Sequence, residues 1–273
     1  MTTLAVRVMP AHESQRYAAF LRQLEVLEVR DLSARMRRLT LAGPQLRAHV
    51  GPNGPVPGFA SRGPDDHVKL FFPDPVTGVV TLPAQEGTRL RWPDDPAAIS
   101  RDYTPRGYAE GSDRLDVDFV LHGHGTADAW AAQAQPGDRI TIAGPRTSMM
   151  IPQAKAYLLL GDETAIPAIG NWLAMLPARA RITAHILTID RDTMPQIALR
   201  AGADVHWHRC DMADPQAMVA VMNDGAIEPE TYVWAGGEFS AIAALRRHLD
   251  RLDFDPGMTD LASYWIRGKT QPL

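Results

Sequence analysis

The stretch Ala156-Tyr157-Leu158-Leu159-Leu160-Gly161-Asp162-Glu163-Thr164-Ala165-Ile166-Pro167 marks the change on which the fold turns. Ala156–Leu160 is a continuous apolar run of strand length, as a strand covered on both faces requires. A Gly-Asp-Glu turn ends it, and an apolar helical pattern, Ile166–Leu176, follows. Beyond it, strand patterns at Ile182–Ile189, Ala203–His208 and Tyr232–Ala235 alternate with helical patterns at Pro215–Met222 and Phe239–Leu252. That alternation predicts an open, parallel α/β sheet over residues 151–273.

Before Met150 the texture differs. Leu24–Arg30 and Arg35–Leu41 alternate apolar and polar residues, the pattern of half-buried strands. The Gly/Pro-rich loop GPNGPVPGFASRGPDD, residues 51–66, sustains neither helix nor ladder. Further strands are expected at His67–Phe72, Thr88–Trp92, Leu115–Leu121 and Arg139–Ala143. Short strands at this spacing, with little helix between them, predict an antiparallel β-barrel over residues 1–150. A helical lead within residues 1–23 is expected from Tyr17, Phe20 and Leu21 sharing a helix face.

Composition narrows the function. With 28 Lys+Arg against 32 Asp+Glu, the chain has a net charge of −4, which argues against a nucleic-acid binder. A single Cys among 273 residues excludes an intrachain disulfide and any multi-cysteine metal site, and suits a reducing compartment. No apolar run reaches membrane-spanning length, and the N-terminal residues lack the pattern of a signal peptide, so a cytoplasmic location is expected.

Arg101-Asp102-Tyr103-Thr104 places Arg101 and Tyr103 on one face of a strand. The guanidinium can fork onto a phosphate while the ring lies against a flat ligand, and Thr104 can offer a hydroxyl or N–H. An exposed arginine and a packed tyrosine would read the same way. Asp118–Ala131 runs from a strand through His122-Gly123-His124-Gly125 into a helix that Thr126 or Asp128 can cap. Free N–H groups at such a helix start attract anions. The sixth position is Asp128, so this is not the dinucleotide GxGxxG. Two turns after strands, Gly161–Pro167 and Gly236-Gly237-Glu238, lie where open α/β sheets bind ligands. His206, His208 and Cys210 alternate along a strand, but they lack the fuller ligand set of a metal site. After Ile182–Ile189, Asp190 suits a ribose hydroxyl and Arg191 a 2′-phosphate, leaving NADH and NADPH both open.

From about Leu24 to Gly268 the chain resembles the siderophore-interacting flavoproteins, ferric-siderophore reductases of the ferredoxin–NADP reductase superfamily. The resemblance is carried by Ser33–Leu41, Asp65–Pro73, Arg101–Thr104, Asp118–Trp130, Pro136–Asp138, Gly144–Arg146, Gly161–Ala165, Ala235–Glu238 and Tyr264–Gly268. It implies an FAD-binding barrel followed by a NADPH- or NADH-binding domain. Arg101, Tyr103 and Thr104 would then hold the flavin, and His122, Gly123, Gly125, Thr126 and Ala127, with Trp130 nearby, its pyrophosphate and adenine side. Thr164, Gly236, Gly237 and Glu238 would sit where the nicotinamide nucleotide enters. Lys69, Arg267 and Lys269 would attract an anionic ferric siderophore. Ala129 stands where relatives often carry a basic residue.

The implied chemistry is reduction of chelated Fe(III) to the more weakly held Fe(II), in a monomer without nucleic-acid or membrane partners. Outer-sphere electron transfer by a flavin requires no catalytic acid or base. A general NAD(P)H:flavin oxidoreductase on this fold, and a non-catalytic ferric-siderophore carrier, are the competing readings.

Overall fold

The computed structural model describes residues 13–193, 202–223, 227, 228 and 230–269. Seven strands form an antiparallel sheet: β1 (Leu21–Ser33), β2 (Met36–Ala42), β3 (Val68–Phe71), β4 (Ser100–Tyr103), β5 (Pro105–Arg106), β6 (Arg114–Val120) and β7 (Arg139–Ala143). Their spatial order is β5-β6-β2-β1-β7-β3-β4. The alternation of the sequence becomes an inside and an outside. Leu24, Val26, Leu39, Leu41, Val68, Leu70, Leu115, Val117, Phe119, Ile140 and Ile142 are buried in one core.

The sheet is curled into a barrel. Tyr103 of β4 and Phe119 of β6 lie near opposite edges of the strand order, yet their ring centroids are 4.3 Å apart. Only Thr104 separates β4, at one edge, from β5, at the other. The barrel therefore closes across a single residue. Helix α1 (Thr126–Gln133) plugs it with Ala127 and Ala131.

The second unit is a five-stranded parallel sheet of β8 (Ala156–Gly161), β9 (Arg181–Thr188), β10 (Ala203–Arg209), β11 (Thr231–Glu238) and β12 (Thr259–Trp265), in the order β10-β9-β8-β11-β12. Helix α2 (Ile166–Met175) packs on one face, over Leu159, Ile182, Ile186 and Trp234. On the other face α3 (Ala217–Asn223) and α4 (Phe239–Arg251) cover Leu158, Leu160, Leu187 and Val233. The strand order reverses between β8 and β11, where Gly161 is paired with Gly236. In such sheets the crevice beyond the strand ends at this point is the ligand site.

Three expectations are corrected. Residues 13–23 are not helical: Ser14–Arg16 pairs antiparallel with Thr147–Met149, and β1 begins at Leu21. Pairing supplies the segment with backbone partners that a short isolated helix would have to provide itself, so tertiary context overrides its helical spacing. Residues 1–12 lie outside the described residues. The strand expected at Thr88–Trp92 is a local hairpin of Ala84–Glu86 with Arg89–Arg91, turned at Gly87 (φ 60°), and no part of the barrel. Gly236 and Gly237 do not form a turn after β11 but its last residues, all buried.

The two units are joined by polar contacts. Arg35, in the β1–β2 turn, pairs with fully buried Glu163 at 2.9 Å. Asn171 of α2 donates to Pro64 O (3.0 Å) and Pro105 O (2.8 Å) and accepts from Gly107 N (3.2 Å) and the Arg106 guanidinium. Gly170 beside it leaves room for that guanidinium, which an added Cβ would meet at 2.9 Å. Asn171→Ala removes four hydrogen bonds and strands two buried carbonyls, so a loss of about 2–4 kcal/mol is expected. Urea unfolding of the variant against the parent measures it, with an unchanged midpoint refuting the clamp.

Candidate functional site

β4 faces the barrel interior at Arg101 and Tyr103, opposite Leu70 and Val68 of β3. Tyr103 joins an aromatic wall. Its ring lies 6.3 Å from Phe72 and 4.3 Å from Phe119, and Trp130 of α1 is 5.6 Å from Phe72. Burial pushes the Tyr103 hydroxyl pKa up, so it stays neutral. Arg101 is partly buried, makes no ion pair among the described residues, and donates to Ser100 O at 2.7 Å. Burial lowers its pKa because nothing nearby fully compensates the charge. A half-buried cation beside an aromatic wall suits a ligand with a flat ring and an anionic tail.

The glycine turn leads from this wall to α1. Gly123 (φ 82°) and Gly125 (φ 83°) hold the left-handed backbone that glycine tolerates. The helix cap is Gly125 and not Thr126 or Asp128, with no side-chain cap bond. Asp128 instead reaches back, accepting from His122 N (2.6 Å) and Gly123 N (3.3 Å). The first helical hydrogen bond runs from Ala129 N to Gly125 O, leaving the amides of Thr126, Ala127 and Asp128 at the open helix start. The exposed His122 ring accepts from His124 N at 3.2 Å.

At the switch point Asp162 is the hub that the sequence did not single out. It is fully buried; its Oδ1 accepts from the amide and hydroxyl of Thr164, and its Oδ2 from Glu238 N (3.0 Å) and Trp265 Nε1 (2.8 Å). Burial raises its pKa, against those donors. Gly237 must be glycine here, because a Cβ would stand 2.6 Å from Asp162 Oδ2. Glu238 caps α4 through Ser240 N and Ala241 N and accepts from Arg267 N at 3.2 Å. The Thr164 and Glu238 side chains are thus held by their own fold, which leaves their backbones and the crevice for a ligand.

The barrel and the parallel unit meet at the seam that follows Thr104. There the Tyr264 hydroxyl of β12 donates to Asp65 Oδ1, in the loop before β3. Asp65 Oδ2 accepts from Trp234 Nε1 at 3.3 Å. Gly236 lies beneath, since a Cβ there would be 3.0 Å from the rings of both Trp234 and Tyr264. Burial is the main cause that pushes the Asp65 carboxyl up to about 7, helped by the carboxylates of Asp260 and Asp66. Its one advance signal was the Asp65-Asp66 pair ahead of a strand; the partner Tyr264 is 199 residues away.

Two of the three expected substrate cations are in ion pairs. Lys69 Nζ is 2.8 Å from Asp102 Oδ2, outside the barrel, and Arg267 pairs with Asp211. Lys269 is exposed, its amide donating to Ile266 O at 3.1 Å. The Arg191 guanidinium lies 4.2 Å over the Trp207 ring. His206 and His208 stack with His185, and among the described residues no group of His, Cys, Asp and Glu can hold a metal ion. Among those residues no helix is long and apolar enough to cross a membrane.

Comparison with known proteins gives the same two parts. The model of the siderophore-interacting FAD-binding domain matches residues 25–149, and that of the siderophore-interacting protein matches residues 154–268. The chain is 36% identical to the NADPH-dependent ferric-chelate reductase of Escherichia coli over 89% of this chain and 92% of that one. It is 28% identical to the ferric vibriobactin reductase ViuB of Vibrio cholerae, over 92% and 91%. The crystal structure of a siderophore utilization protein from T. fusca superposes with a TM-score of 0.86 at 34% identity, covering 95% of this chain and 98% of that one.

The raised Asp65 pKa has a stability consequence. Its folded value of about 7 exceeds the 3.8 of an unperturbed carboxyl, so the folded state binds the proton more tightly. That contribution is present below pH 3.8 and is lost as pH rises through 7. It amounts to about 4 kcal/mol at most. Asp65→Asn, which mimics the neutral acid, is expected to lose less stability than the parent between pH 5 and pH 8. Thermal unfolding at the two pH values measures this; parallel shifts in both proteins would refute it.

Proposed function

The chain belongs to the siderophore-interacting protein family, and from that premise we infer that it is an FAD-dependent ferric-siderophore reductase that draws electrons from NADPH. The observation that carries the reading is the docking of the parallel unit on the barrel seam beside the Arg101–Tyr103 wall, where Asn171 bonds Pro105 O and Gly107 N and where Trp234 and Tyr264 bond Asp65. Ferric iron is held by hard anionic oxygens, and one added electron weakens that grip. When bound, FAD supplies the two-electron to one-electron conversion that joins a nicotinamide to ferric ions.

The residues divide the work. We assign Arg101 to the FAD phosphates, Tyr103 and Trp130 to its flat surfaces, and Thr104 to its ring edge. His122 and the Gly123, Gly125, Thr126 and Ala127 turn take the pyrophosphate, with the α1 amides as donors. Thr164, Gly236, Gly237 and Glu238 form the nicotinamide crevice, chiefly through backbone. Arg191, held over Trp207, is assigned to the 2′-phosphate of NADPH; Asp190 Oδ1 is already accepting from Asp192 N at 3.1 Å. Lys69, Arg267 and Lys269 draw the anionic chelate. We place the division of labour near Met150 and take the protein as a cytoplasmic monomer; its single Cys fits a reducing compartment.

The test is anaerobic. NADPH should bleach the FAD-loaded protein, and a ferric siderophore should restore its colour while an Fe(II) indicator responds. A flavin that bleaches but ignores the chelate would make this a general flavin reductase. Failure to take up FAD would leave a carrier.

Two variants follow. Arg101→Ala is expected to weaken FAD binding about 10- to 100-fold, the equivalent of a charge-assisted contact, measured by flavin fluorescence titration. Lys69→Ala and Arg267→Ala should each raise KM for an anionic ferric chelate about tenfold while FAD content stays at parent level. Normal chelate kinetics in both would show that the substrate cations lie elsewhere.

A further inference from the structure

We propose that the end of the barrel opposite α1 holds a second binding site, for a small organic monocarboxylate, built around the buried guanidinium of Arg22. The site stands apart from the flavin and nicotinamide assignments above and does not depend on them.

The register of β1 shows that Arg22 occupies a core position. Leu24 and Val26 are buried in the barrel core, and the two-residue period puts Arg22 on the same inward face, opposite Ile142 of β7. A guanidinium lies there, with the residue only 3% exposed. Its Nη2 donates to Pro57 O at 2.8 Å, while Nε and Nη1 have no acceptor. The guanidinium carbon is 5.9 Å from the Phe20 ring centroid and 6.0 Å from that of Phe59. Ring faces offset part of the charge, but Arg22 makes no ion pair among the described residues. Burial lowers its pKa to about 10, so the group is still a cation at neutral pH. A buried charge without a counter-charge is costly, and an anion beside it removes that cost.

There is room for one. Arg22 lines a cavity of about 680 Å³, a size that suits a small organic ligand. The walls come from segments that flank strand ends: Tyr17 ahead of β1, Leu46 after β2, Phe59 ahead of β3 and Pro145 after β7. Gly111, ahead of the start of β6, also lines it, whereas α1 follows the other end of that strand. No residue of Arg101–Thr104 or of the turn at 122–126 is among the described lining residues. Tyr17 brings a second donor, a buried hydroxyl with no partner. Two further charges at the cavity are already matched, Arg47 by Asp113 at 3.1 Å and Glu110 by Arg62 at 2.9 Å.

The chemistry of the walls selects the ligand. One unmatched buried cation calls for one negative charge, and a guanidinium with a hydroxyl suits carboxylate oxygens. Leu46, Phe59 and Pro145 suit a carbon body, and they would leave an inorganic anion poorly solvated on that side.

The experiment titrates benzoate into the FAD-loaded full chain by calorimetry, with benzamide as its neutral twin and inorganic phosphate as the plain anion. Benzoate is expected to bind with a Kd below about 1 mM, and the other two about tenfold more weakly or not at all. Arg22→Met should weaken benzoate about tenfold or more, with FAD content and the rate of bleaching by NADPH at parent level. Ala48→Trp narrows the cavity from an exposed position and leaves the core intact, so it tests the site even if Arg22→Met does not fold. It should weaken benzoate to a similar extent. The visible flavin spectrum should not move as benzoate is added. Absence of benzoate binding would overturn the proposal, as would benzamide or phosphate binding as tightly. So would benzoate affinity that survives in Ala48→Trp or in folded Arg22→Met, or a flavin spectrum that follows the benzoate titration. A chain that takes up no FAD would sink the reductase reading alone, and the same titration of the flavin-free chain would still decide the site.

Discussion

Closure of the barrel across one residue is the constraint from which the rest of the site follows. A seven-stranded sheet that ends one edge at Tyr103 and starts the other at Pro105 must curl until those edges touch. Curling turns Arg101 and Tyr103 inward and leaves Thr104 at the seam, facing the parallel sheet. The seam is also where α2 takes hold, because Asn171 bonds Pro105 O, Gly107 N and Arg106. The strand proposed to hold the flavin, the barrel closure and the interdomain clamp therefore share one short segment.

The join between the units is polar where the core of each is apolar. Buried Glu163 answers Arg35, Asn171 answers three backbone groups, and Asp65 answers a tyrosine and a tryptophan. Such contacts are directional, and an unpaired partner is costly, so they specify one docking of the two units better than apolar packing would. The same docking sets the switch-point crevice against the barrel seam. Asp162 then stiffens the floor of that crevice by tying the turn after β8 to β11 and β12.

Much of this was legible in the residues. Period-two alternation marked the barrel strands, the run Ala156–Leu160 marked the central parallel strand, and Arg101-Asp102-Tyr103-Thr104 presented its two inward side chains as strand geometry requires. The rest was lost where tertiary partners decide. Ser14–Arg16 is a strand because Thr147–Met149 is beside it, and no local pattern records a partner so far along the chain. Thr164 and Glu238 read as ligand contacts, and their turns did not record that Asp162 and the start of α4 hold their side chains. Asp65 read as a loop acid because its character comes from Tyr264 and Trp234, which the fold alone brings to it.

The ion pairs of Lys69 and Arg267, the two cations proposed above for the chelate, carry a consequence of their own. Lys69 is held by Asp102 and Arg267 by Asp211, so each positive charge is already matched before a chelate arrives. An incoming anion must displace a carboxylate rather than meet a bare cation. Added salt would screen the attraction to the substrate, but it would equally loosen the carboxylates that compete with it. The two effects oppose one another, so on the proposed reading recognition would be buffered against ionic strength. A singly charged anion would gain little from such an exchange, and a chelate carrying several negative charges would gain more.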